Sequence, residues 1–169
     1  MHFGIKIIIW IFRFLVGGLF IFSGLIKAND SLGFSYKLEE YFIEFGTIFT
    51  QNDLGFLAAP MKWMEAISLP LAMFIVVLEI VLGILTITGS KMKQVSFLLL
   101  ALIIFFTFLT FASWKWELVK SCGCFGDFIP LTPFESFIKD LILLILIIPI
   151  VLTSRNIKSI LTPTGDRLT

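Results

Sequence analysis

Residues 68–88 read SLPLAMFIVVLEIVLGILTIT. This is an uninterrupted apolar stretch whose sole ionisable residue is Glu79, near its middle. As a helix rising ~1.5 Å per residue, it is long enough to cross a hydrocarbon core of ~30 Å. Pro70 falls in its first turn, where a missing N–H leaves no helical bond unmade. A short basic turn, Gly89-Ser90-Lys91-Met92-Lys93, leads directly into a second such stretch, about Val95–Ala112.

The same pattern recurs on either side. Upstream, the run Ile5–Ile26 is too long for the core of a signal peptide and is followed by no A-x-A-like site, so a retained helix is expected. Downstream, Thr132-Pro133-Phe134-Glu135 has the form of a helix start, with Thr as N-cap, Pro at N1 and Glu at N3. A fourth span follows to about Leu152, bent in its last turns at Pro149, with Glu135, Lys139 and Asp140 projecting above the hydrocarbon. Composition agrees: 58% of the 169 residues are hydrophobic, 15% are charged, and mean hydropathy is +1.01. Soluble domains carry about 25% charged residues. The expected fold is an all-α integral membrane protein. A four-transmembrane-helix bundle occupies residues 1–153 and a short polar cytoplasmic tail residues 154–169.

Between the first two spans lies an acidic stretch from Lys27 to about Lys62. Within it, Leu38, Phe42, Phe45 and Phe49 recur at helical spacing against Lys37, Glu39, Glu40 and Glu44. That pattern predicts an amphipathic helix on the membrane surface or capping the bundle, punctuated by Asn52 and Gly55. Lys27-Ala28-Asn29-Asp30 reads as a snorkelling lysine followed by a helix stop. Lys6, Lys91, Lys93, Arg155, Lys158 and Arg167 crowd the shorter loops and ends, which favours cytoplasmic termini in a bacterial inner membrane. The acidic loop and both cysteines are then extracytoplasmic, where thiols can be oxidised. A formal net charge of +1 gives no global field for nucleic acid. Two cysteines and one histidine are too few for a structural zinc site, and no metal is expected.

Two features could carry chemistry. The first is Ser121-Cys122-Gly123-Cys124-Phe125-Gly126-Asp127. Two thiols flanking one glycine can close a small strained disulfide, and strained, exposed disulfides tend to be exchangeable. Lys120 and Lys139 could favour a thiolate, while Asp127 could move a proton or oppose that effect. The alternative is a pair of buried small hydrophobes or a static loop staple. The second feature is intramembrane charge, Arg13 in the first span and Glu79 in the second. Unpaired charge at depth is costly, so the two are expected to pair across a helix contact. Arg13, Gly17, Phe20 and Gly24 share one face, and Glu79 and Gly83 another, with small residues allowing close approach. Such a polar core could bind a quinone headgroup or relay protons, or it could simply lock the bundle. Thr107 and Thr110 are expected to back-bond to their own helix. Trp114 and Trp116 are expected in an interfacial belt.

Arg13-x-x-x-Gly17…Phe20-x-x-Ser23-Gly24-x-x-Lys27-x-x-Asp30 resembles the opening of DoxX-like membrane proteins, and Glu79-x-x-x-Gly83 their second-helix pattern. Cys122-Gly123-Cys124-Phe125-Gly126-Asp127, then Leu131-Thr132-Pro133 and a helix bearing Lys139-Asp140, resembles the MauE branch of that superfamily. The resemblance spans about Phe12 to Leu152. It implies a four-helix protein working beside thioredoxin-like periplasmic proteins. In MauE the link is to maturation of a disulfide-rich methylamine dehydrogenase subunit, and in other DoxX relatives to quinone-coupled sulfur oxidation. One thiol pair departs from membrane enzymes that relay electrons between two pairs. The expected function is therefore a redox-accessory protein in which Cys122 and Cys124 exchange with an extracytoplasmic thioredoxin-like partner. Two readings compete with it, a non-catalytic subunit docking a larger envelope complex and a small transporter. The transporter is disfavoured by the scarcity of polar groups in the spans.

Overall fold

The structure, a computed structural model, describes residues 3–116 and 132–157. Six helices follow one another: α1 (Phe3–Asn29), α2 (Ser31–Gln51), α3 (Gly55–Ala66), α4 (Ser68–Thr88), α5 (Met92–Trp116) and α6 (Pro133–Thr153), with a 3-10 turn over Ser154–Asn156. Four of them, α1, α4, α5 and α6, are long and apolar enough to cross a membrane. Their outward faces are paved with Phe14, Phe22, Phe74, Val77, Ile104, Phe108, Ile142 and Ile145, all exposed. Apolar surface on that scale belongs against lipid. The chain is a multi-pass membrane protein with the predicted all-α bundle.

Each boundary has a local cause. Asp30 separates α1 from α2 and caps α2, accepting a hydrogen bond from Gly33 N at 2.9 Å. Gly89, at φ 75°, closes α4 by donating its N–H to Leu85 O at 2.9 Å. That left-handed conformation suits glycine and permits the tight turn into α5. α6 opens on the predicted capping box. Thr132 Oγ1 accepts from Glu135 N at 3.3 Å, and Glu135 Oε2 accepts from Thr132 N at 2.8 Å.

α1 packs chiefly on α4, and α5 on α6. Gly17 and Gly83 set the first contact. A Cβ on Gly17 would lie 2.7 Å from Gly83 O, and one on Gly83 would lie 2.7 Å from Gly17 O. The acidic stretch forms two helices, α2 and α3, in place of one. α2 caps the bundle, burying Phe34, Leu38, Tyr41, Phe42 and Phe45 against α4 and α5, whereas α3 buries none of its residues.

Candidate functional site: a buried charge cluster

The α1 face Arg13, Gly17, Phe20, Gly24 continues one step further, to Lys27. Gly24 lets the helices approach there, since a Cβ on it would lie 2.7 Å from Ile80 Cγ1 and 3.3 Å from Glu79 Cβ. Lys27 is 1% exposed and Glu79 3%. Lys27 Nζ donates to Glu79 Oε1 at 2.7 Å, Glu79 Oε2 at 2.9 Å and Ser23 Oγ at 3.1 Å. Its charge also sits 4.2 Å from the Phe106 ring centroid and 5.1 Å from that of Phe34. The snorkelling expected of Lys27 is thus overturned. α2 folds back over the end of α1 and removes the water a snorkelling lysine would reach, leaving an anion and two π faces as its environment.

Arg13 does not pair with Glu79. Its Nε donates to Thr86 O at 2.9 Å and its Nη2 to Ile87 O at 2.8 Å. These carbonyls belong to the last turn of α4, where no helical N–H remains to meet them and the helix dipole is negative. The guanidinium therefore caps α4 and needs no carboxylate, which leaves Glu79 to Lys27.

A second pair stands beside the first. Asp140, 1% exposed on α6, accepts from Lys139 Nζ at 3.1 Å and from the Thr110 hydroxyl at 3.1 Å. Asp140 belongs to the α6 series Ser136, Asp140, Leu143, Ile147, Ile150, every member of which is buried, so it faces into the bundle. Thr107 and Thr110 do back-bond, to Ile103 O at 2.7 Å and Phe106 O at 3.0 Å respectively. Ser23, Lys27, Glu79, Phe106, Lys139 and Asp140 line one cavity of about 20 Å³. That volume admits a single water, but not a quinone ring. One turn along α5, Ser113 donates to Tyr41 OH at 2.7 Å. Burial, helped by the negative charges of Glu40 and Asp140 and opposed by the Ser113 bond, pushes the Tyr41 phenol up to about 12.

Lys120, Cys122, Cys124 and Asp127 lie outside the described residues. The two ends of their segment are described. Trp114 on α5 stacks on Phe137 at 5.6 Å and meets Phe134 at 5.3 Å, while Phe111 meets Phe137 at 5.6 Å. Trp114 and Trp116 are both exposed at this end of the bundle.

Residues 5–153 match the family of the methylamine utilisation protein MauE. The chain belongs to the MauE family. The match takes in all four spans of this MauE-family chain, the charge cluster and the segment bearing the cysteines. It is also 28% identical over 144 residues to Protein TlpB of Flavobacterium psychrophilum, covering 80% of this chain and 34% of TlpB. The MauE-family chain thus spans about a third of the length of that relative. No solved structure matches it.

Proposed function

We propose that this protein is a redox-accessory component of a bacterial inner membrane, with both termini cytoplasmic. In this reading Cys122 and Cys124 exchange thiols and disulfides with an extracytoplasmic thioredoxin-like partner. The observation that carries it is the aromatic clamp of Phe111, Trp114, Phe134 and Phe137. It brings together the end of α5 and the start of α6, the two helix ends between which the C-x-C segment lies in the sequence. MauE membership supports the reading. The exchange step runs between these two thiols and the partner's own pair, one pair being oxidised to a disulfide as the other is reduced.

A docking-subunit reading draws support from α3, which exposes Phe56 and Trp63, and from the open groove of about 380 Å³ it forms with Phe42, Gly46 and Thr50 of α2. Redox titration of the membrane-embedded protein, followed by alkylation with an impermeant thiol reagent, separates the two. Cys122 and Cys124 should interconvert between dithiol and disulfide above the about −300 mV below which structural disulfides lie. They should also be labelled from the outer face when reduced. Thiols that remain reduced throughout, or that react from the cytoplasmic side alone, would leave the docking reading.

A further inference from the structure

We propose that Asp140 is a proton-binding site inside the bundle, with Thr110 as the hydroxyl that adapts to either protonation state. The evidence is the hydrogen-bond geometry around Thr110. Its one hydroxyl proton has three acceptors in reach: Asp140 Oδ2 at 3.1 Å, Phe106 O at 3.0 Å and Thr107 O at 3.1 Å. When Asp140 is ionised, Thr110 donates to the carboxylate. When Asp140 carries a proton, the acid donates to Thr110 Oγ1, and the hydroxyl turns to a backbone carbonyl of its own helix. Both states are satisfied with no side chain changing place, which is what a buried proton site requires.

Among the described residues, Lys139, Lys27 and Glu79 are the charged groups nearest Asp140. Lys27, from α1, is committed to Glu79 of α4 and to Ser23, which together occupy its three N–H donors. Tyr41 faces the region from α2 as a neutral phenol, and α5 contributes the hydroxyls of Thr110 and Ser113, its two lysines, Lys93 and Lys115, standing near its ends. The cation bonded to Asp140 is Lys139, its neighbour on α6, which is 23% exposed. Lys139 therefore reaches both the carboxylate and the outside of the bundle. The water-sized cavity touches Asp140 and Lys139 together and supplies the short connection along which a proton enters. Protonation of Asp140 loosens its hold on Lys139, while the direct hydrogen bonds of Lys27 to Glu79 remain in place. The ligand is a proton from the aqueous phase, accompanied by one water. The site does not depend on the thiol reading. Since it joins α5 to α6, its state bears on the same two helices that hold the cysteine segment.

Infrared spectroscopy of the full chain in lipid nanodiscs, stepped downward through the pH range in which the bundle stays folded, tests the site. A protonated carboxylic-acid band should grow in reversibly, shift with isotope-labelled aspartate and vanish in Asp140→Asn. Thr110→Val keeps the shape of the side chain but removes its bond to either form of Asp140, and the bond to the charged form is the stronger of the two. Its band should persist with the midpoint moved to higher pH, and Thr110→Ser should restore the original midpoint. If Asp140→Asn does not accumulate, the aspartate label and the Thr110 pair decide the matter. A wild-type protein with no such band, a band insensitive to the aspartate label, or a midpoint unmoved by Thr110→Val would each overturn the proposal.

Discussion

Lys27→Met should nearly abolish accumulation of folded protein, and Glu79→Gln should do so to a comparable degree. Lys27 and Glu79 are 1% and 3% exposed, each the other's main polar partner, at a helix contact shielded from bulk water. Removing one partner strands the other charge in a low-dielectric interior, a loss of about 3–5 kcal/mol. Native proteins are stable by only about 5–15 kcal/mol, so such a loss is a large share of the total. The double change Lys27→Met/Glu79→Leu removes both charges and fills their space with apolar atoms, so it should recover most of the loss. Fluorescence-detected size exclusion with thermal challenge in mild detergent measures all three. Arg13→Met should be milder, because Arg13 bonds only to neutral carbonyls of Thr86 and Ile87 and its removal strands no opposite charge. Equal and additive losses from Lys27 and Glu79 would mean that the two charges are not coupled.

Gly83→Leu should separate α1 from α4. A Cβ at this position would stand 2.7 Å from Gly17 O and 3.1 Å from Ile21 N, both backbone atoms that cannot rotate away. Overpacking typically costs about 1–3 kcal/mol, and contact with backbone on the facing helix puts this site at the upper end or beyond. Gly17→Leu should behave alike, since Gly83 O would lie 2.7 Å from its Cβ. Gly18, next along the chain, meets nothing within 4 Å, so Gly18→Ala should be neutral or slightly stabilising. The same thermal challenge should rank the three variants in that order, with Gly18→Ala at or above the parent protein.

The four spans were legible because each is a long apolar run closed by its own signal: Gly89 after α4, the Thr132–Glu135 box before α6. The α1–α4 seam was legible as well, in the spacing of Gly17, Gly24 and Gly83. Partner choice across that seam was not. Arg13 and Glu79 are the two charges deepest in their runs, and pairing them neglected a second way to satisfy a cation, the bare carbonyls at a helix end. Lys27 was available to the same reasoning, since it continues the Arg13, Gly17, Phe20, Gly24 face by one more step. Its place at the end of an apolar run made it look like a lysine reaching for water. Only the return of α2 over it, a tertiary event set by Asp30 and the apolar face of Phe34, Leu38 and Tyr41, makes that position buried. Asp140 was obscured in the same way by the charged first turns of α6, although its register with Leu143, Ile147 and Ile150 marks the inner face.

The most direct measurement of the redox reading is covalent capture. Cys122→Ser and Cys124→Ser are expressed singly in intact cells, thiols are quenched with acid and alkylated, and disulfide-linked species are identified by mass spectrometry. Exchange proceeds through a mixed disulfide, and removal of the resolving thiol leaves that intermediate standing. One of the two variants should therefore hold a thioredoxin-like extracytoplasmic protein in a reductant-sensitive complex that is absent from the double variant. If neither single variant captures such a partner and both parent thiols stay reduced under oxidant, Cys122 and Cys124 are not an exchanging pair.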